Sequence, residues 1–207
     1  MFNGCTRIES IDLSTWDMGS VTSVAAMFQN CWNLAFLNLE GWNFGSSGKL
    51  TNMSNMFDGC YSLKEIDLSG WDVRNVTNLY LLFGSCCSLT EIDLTGWDFS
   101  SLTNMTSMFY GCYNLKEVRL SGSTFGKVLS MQQIFYSCIK LETLDVSDWD
   151  TSSVTNMSYM FGGCRSLGSI DISQWDMSKV TTANNMFDSC NSLQSVKMPN
   201  VNNVYGA

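Results

Sequence analysis

The chain has 207 residues, with 19 acidic and 11 basic side chains, no histidine and a formal net charge of -8. That balance excludes partners whose binding needs clustered lysine and arginine, so neither nucleic acid nor an anionic lipid surface is expected. The missing histidine removes the usual base for a serine or cysteine nucleophile, and no Gly-rich phosphate loop or nucleophile elbow is present; the reading is non-enzymatic.

One arrangement recurs along the whole chain. Anchored on a Met-Phe pair, it starts at Met1, Met27, Met56, Leu82, Met108, Ile134, Met160 and Met186, in steps of 26 residues except for one step of 29. A fixed period in this range signals a solenoid whose units stack only on their neighbours. Residues 1–207 therefore read as a single repeat domain of about seven to eight units.

The first unit is partial, with Phe2, Gly4, Cys5 and Ile8 already in register. Three extra residues in the Gly/Ser stretch at 45–49 account for the longer step and read as a surface loop. In the unit at 50–71, Met53, Met56, Phe57 and Cys60 stand at i, i+3, i+4 and i+7, the spacing of one helical face. This predicts a short helix, with Thr51 or Asn52 at its start and Gly59 near its end. Ile66, Asp67, Leu68 and Ser69 then alternate with the period of two expected of a short, half-buried strand, and Trp71-Asp72 forms the corner into the next unit. Ser123 and Thr124 replace that corner pair in one copy, and the last unit runs past Met198 into a polar tail at 199–207. The predicted fold class is α/β: a solenoid of ~26-residue units, each with one short parallel strand and one short helix. Neither terminus carries a polar capping unit, so self-association through uncapped ends, into longer arrays or fibres, is the structural alternative. No apolar run reaches the ~18 residues of a membrane span, and the chain starts inside a repeat, with no charged leader.

Eight of the nine cysteines fall three residues after the repeat phenylalanine: Cys5, Cys31, Cys60, Cys86, Cys112, Cys138, Cys164 and Cys190. They read as a stack of buried free thiols, with Cys87 the more exposed one. Parallel copies of one site seldom offer disulfide geometry, and without histidine or a CxxC pair no zinc site is expected. No cofactor is implied.

The outward residues of stacked strands form columns. One runs Asp12, Asn38, Asp67, Asp93, Arg119, Asp145, Asp171, Lys197; its neighbour runs Ser10, Phe36, Glu65, Glu91, Glu117, Thr143, Ser169, Ser195. At a strand spacing of about 4.8 Å, Glu65, Asp67, Glu91 and Asp93 come close enough to repel, with Arg119 pairing to Asp93, Glu117 or Asp145. Glu65, Asp67, Glu91, Asp93, Glu117, Arg119 and Asp145 are the candidate binding face, for a cation or a basic partner segment, against the alternative of a solvated acidic surface. The aspartates that follow tryptophan, Asp17, Asp72, Asp98, Asp150 and Asp176, read as turn caps. The tryptophan row reads as corner packing, and the Thr22, Thr51, Thr77, Thr103, Thr155 and Thr181 column as helix caps rather than an ice-binding array. Aromatic residues that the repeat does not require, Tyr61, Tyr110 and Tyr136 among them, are candidate partner anchors.

The string VTNMSYMFGGCRSLGSIDISQWD at 154–176, with its copies over nearly all of 1–198, resembles the BspA-like bacterial surface protein repeats of the DUF285 type. The resemblance implies a leucine-rich-repeat-like module at the cell surface or outside the cell. The adhesion or recognition it implies, of a host or matrix protein or a glycan, comes with no catalytic residues to carry across.

Overall fold

The structure, a computed structural model, describes residues 1–42, 44, 49–120 and 125–199. The insertion at 45–48, the Ser123–Thr124 substitution and the tail beyond Pro199 lie outside the described residues.

The helix expected in each unit is absent: the described residues contain no helix, and the elements are short strands and turns. The fold class is therefore not α/β. The backbone of residues 53–60 shows why. In a helix the N–H of Phe57 would bond the carbonyl of Met53. Here it donates to Leu82 in the next coil at 3.0 Å, and Met53, Asn55 and Gly59 donate likewise to Asn78, Tyr80 and Gly84 at 3.0, 2.8 and 2.8 Å. The intervening Met56, Asp58 and Cys60 donate three residues back, to Met53, Asn55 and Phe57. Two of these i→i+3 turns have a left-handed third residue, Asn55 at φ 55° and Gly59 at φ 76°, as a type II turn requires. The same pair of left-handed positions returns at Leu81 and Ser85, Ser107 and Gly111, Gln133 and Ser137, and Tyr159 and Gly163. A turn every three to four residues sends Met53, Met56, Phe57 and Cys60 inward, just as one face of a helix does.

These turns stack into an uninterrupted ladder. Parallel bridges run through Ser23, Asn52, Asn78, Asn104, Ser130, Asn156 and Thr182. The side chains of Asn52, Asn78, Asn104 and Asn156 each accept the amide two residues on, at 2.9–3.0 Å. The threonine column does not cap helices. Thr51, Thr77, Thr103, Thr155 and Thr181 donate both N–H and hydroxyl to the equivalent carbonyl of the preceding coil.

Inside the coils, equivalent side chains meet their own copies. Phe2, Phe28, Phe57, Phe83, Phe109, Phe135, Phe161 and Phe187 form one stacked column with ring centroids 5.4–5.8 Å apart. All nine cysteines are free. From Cys31 to Cys190 each repeat thiol donates to the carbonyl of the preceding coil's phenylalanine at 3.0–3.2 Å. Burial pushes the thiols of Cys86, Cys112 and Cys138 well above their ordinary range, which suits a packing role and not a nucleophile. The tryptophans from Trp42 to Trp175 are buried at the corner, where Trp42, Trp97 and Trp175 donate their indole N–H to a carbonyl of the preceding coil.

The strand side is built differently. Among the described residues, six three-residue strands, β1 (Ser10–Asp12), β2 (Phe36–Asn38), β3 (Glu91–Asp93), β4 (Glu117–Arg119), β5 (Ser169–Asp171) and β6 (Ser195–Lys197), pair in parallel only as β1–β2, β3–β4 and β5–β6. Residues 65–67 and 143–145 occupy equivalent positions in their coils but form no strand. The turn ladder is continuous while the strand ladder is split twice.

Candidate functional site

Five aspartates at one repeat position, three of them closing a strand, face solvent and also hold the turn that follows. Asp12, Asp67, Asp93, Asp145 and Asp171 face outward, and one carboxylate oxygen of each accepts the amide two residues on, at 2.8–3.0 Å. Asn38 does the same for Glu40. The sequence carries this signal as Asp-apolar-Ser/Thr, in DLS, DLT, DVS and DIS, and a reading for acidic character alone passes over it. The bonds hold Asp67 and Asp93 below the ordinary carboxylate range; for Asp67 the main cause is the Ser69 amide and for Asp93 the Thr95 side chain. The aspartates after tryptophan cap turns as expected, each accepting the amide two residues on.

The predicted acidic column is not one evenly spaced row. Glu91 lies opposite Glu117, and Asp93 lies opposite Arg119. Arg119 pairs with both Glu117, at 2.8 Å, and Asp93, at 3.4 Å, and among the described residues makes no ion pair with Asp145. Between residues 65–67 and β3 no backbone hydrogen bond forms among the described residues, so Glu65 and Asp67 do not share the strand pairing expected with Glu91 and Asp93. Glu65, Asp67, Glu91 and Asp145 make no ion pair among the described residues. No group of three or more acidic or cysteine side chains there is placed to hold a metal ion.

The splits in the strand ladder open clefts. One of about 540 Å³ lies between Ala35–Asn38 and Glu65–Asp67; another of about 610 Å³ lies between Ile66–Arg74 and Asp93–Asp98; a third of about 280 Å³ lies between Glu117–Leu120 and Thr143–Asp148. Leu37 and Ile66, on either side of the first cleft, are only partly buried. Phe36, 63% exposed, stands at the mouth of the first cleft. Sequence periodicity could not show these clefts, because every unit carries the same strand pattern.

The candidate aromatics fall into two groups at different repeat positions. Tyr61, exposed, stacks with Trp32 at 6.1 Å in the turn after the cysteine. Tyr110 and Tyr136 are half-buried and stack at 5.2 Å on the turn ladder, with Tyr159 edge-on to Tyr136. Tyr61 shares its coil with residues 65–67 of the first two clefts, and Tyr110 and Tyr136 share theirs with the two walls of the third.

A search of curated proteins finds no match. Among solved structures the chain is similar to a leucine-rich cell surface protein from Faecalibacterium prausnitzii A2-165, at 19% identity and TM-score 0.49, over 97% of this chain and 62% of that one. It is also similar to a leucine-rich repeat protein from Bacteroides ovatus ATCC 8483, at 22% identity and TM-score 0.48, over 94% of this chain and 56% of that one. The chain thus spans about three fifths of the length of these proteins. No helix among the described residues is long and apolar enough to cross a membrane. DUF285, described as Mycoplasma protein of unknown function, matches residues 1–122 and 117–207, as the BspA-like repeat motif implied, and the chain belongs to this family.

Proposed function

We propose that this chain is a non-catalytic recognition module of a cell-surface or extracellular protein, and that it binds a protein or glycan partner over its strand face. The observation that carries the reading is the contrast between the two sides of the coil. On the turn side, backbone groups bond from coil to coil along the continuous ladder. The strand side leaves clefts, an exposed Phe36 and carboxylates that make no ion pair among the described residues, none of which the core needs. Exposed aromatic and apolar groups rimmed by polar residues are what partner surfaces are made of.

The test is a matrix-protein and glycan array probed with the labelled chain, wild type and Glu65→Gln/Asp67→Asn. Binding to a defined subset, weakened by the double variant, is the expected result. A blank array, or binding indifferent to the strand face, overturns the reading. A concentration-dependent mass in sedimentation without array binding turns it toward self-association.

A further inference from the structure

The net charge of -8 hides one edge of the solenoid where the sign reverses. This edge is built from the turn after each repeat cysteine and from the residue just before the strand position. Its turns stack in register: the amides of Ser88, Ser166 and Ser192 donate to the carbonyls of Tyr61, Ile139 and Arg165 in the preceding coil, each at 3.1 Å. Five of the eleven basic residues stand on it, Arg7, Lys64, Lys116, Lys140 and Arg165, beside two acids, Glu9 and Glu142. The rest of the chain holds six basic residues and seventeen acidic ones. All five cations are exposed, and none makes an ion pair among the described residues. The same turns carry Trp32, Tyr61 and Tyr113, which are 47%, 43% and 47% exposed. Cationic and aromatic surface thus coincide at one place in the repeat, and the core requires neither.

We propose that this edge binds an acidic polysaccharide, with uronate carboxylates against the cations and the apolar C–H faces of sugar rings against the aromatic side chains. Glu9 and Glu142 share their coils with Arg7 and Lys140. The cations with no acid on the edge in their own coil are Lys64, Lys116 and Arg165, on every second coil. Along the solenoid axis two coils span roughly 10 Å, at about 4.8 Å between bonded parallel segments. A carboxylate on every second sugar of an extended glycan recurs at a comparable interval. The phosphates of a duplex, one per about 1.7 Å, need a far denser cationic surface. A polypeptide is the poorer occupant, because the carbonyls of Tyr61, Ile139 and Arg165 are already taken by the next coil. At the adjoining strand position Glu65, Glu91 and Glu117 repel an anion and hold it to the edge. The inference rests on the recognition reading above, to which it gives a glycan class and a surface of its own.

The probe is a fluorescein-labelled hyaluronan hexasaccharide, alternating glucuronate and N-acetylglucosamine, titrated by anisotropy against the full chain. Saturable binding that weakens with salt is expected, with labelled chitohexaose, uncharged and of equal length, about tenfold weaker. Lys64→Gln/Lys116→Gln/Arg165→Gln and, separately, Trp32→Ser/Tyr61→Ser should each weaken the hexasaccharide by about tenfold; circular dichroism checks that these surface variants fold. Glu65→Gln/Asp67→Asn should bind it as tightly as wild type or more so, whereas the strand-face reading requires that variant to lose its array partner. The two readings therefore fail separately. No binding at millimolar concentration, or binding that either surface variant leaves unchanged, overturns this inference whatever the array shows. Tighter binding of a glutamate-rich peptide or of a single-stranded oligonucleotide than of the hexasaccharide overturns the glycan assignment.

Discussion

Replacing Gly111 by alanine separates the stacked-turn architecture from a helix by sign. Gly111 has φ 71°, and a Cβ there would meet Ser85 no closer than 3.4 Å, an ordinary contact. The conformation therefore sets the cost, about 1–2 kcal/mol for an L-residue in the left-handed region. Alanine recovers roughly 0.4–1 kcal/mol by restricting the unfolded chain, leaving a net loss on the order of 1 kcal/mol. In a helix the same change would gain about 1 kcal/mol. Urea unfolding followed by circular dichroism reads the difference: with a slope of about 2 kcal/mol/M, the midpoint falls by roughly 0.5 M. Gly59→Ala carries a second penalty, because its Cβ would sit 2.7 Å from Asn30 Oδ1 and 3.3 Å from Asn30 Cα. Its loss should reach about 2–4 kcal/mol, and Asn30→Gly should restore part of it. A midpoint that rises in Gly111→Ala refutes the turn ladder.

Thiol labelling of the native chain should modify Cys5, Cys87 and Cys190, the three that are not fully buried, and leave the other six until urea exposes them; mass spectrometry counts the adducts. Leu129→Thr should stabilise by about 0.5–1.5 kcal/mol, since it restores the hydroxyl bond that Thr103 and Thr155 make in neighbouring coils; thermal melts compare it with wild type. Asp171 is held at about 2, mainly by the Lys197 ammonium 2.8 Å away and by Ser173. A depressed folded value means stability present above the ordinary 3.8 and lost as pH falls toward about 2. Asp12, Asp67, Asp93 and Asp145 are also depressed by their following turns. Acid unfolding should therefore set in over that window, and Asp171→Asn should make the titration shallower.

The period, the inward columns and the turn-capping aspartates were legible because each depends on residue type at one repeat position. The helix was misread because i, i+3, i+4, i+7 describes which side chains face inward and says nothing of where the N–H groups go. A better signal lay in the same stretch. Asn55 and Gly59, four apart, are residue types that tolerate left-handed backbone, and glycine returns at the second position in Gly111 and Gly163. A helix gains nothing from such residues inside it, whereas stacked turns need one in every three or four. The clefts were not legible, since no single unit differs in its strand residues enough to mark an open step.

The charges on the strand face bear on two of the open steps. The steps that would set Asn38 beside Asp67 and Arg119 beside Asp145 are open without a like-charge pair, and β3 pairs with β4 although Glu91 faces Glu117. The pairings that form set Asp12 beside Asn38, Asp93 beside Arg119 and Asp171 beside Lys197. Residues 65–67 and 143–145, which pair with neither neighbour, would each set an aspartate beside the aspartate of the next coil, Asp67 with Asp93 and Asp145 with Asp171. Like charges directly opposite cost roughly 0.2–1 kcal/mol per pair, and at the first of these steps Glu65 would face Glu91 as well. Removing the charge should close that step. In Glu65→Thr/Asp67→Asn the amides of Ile66 and Asp93 should gain protection in hydrogen exchange, because parallel pairing of 65–67 with β3 uses them as donors. Thr143 and Asn38 occupy the same repeat positions, so both substitutions are ones the fold already carries. Unchanged protection at Ile66 and Asp93 would mean that coil geometry, and not carboxylate repulsion, holds the strand face open.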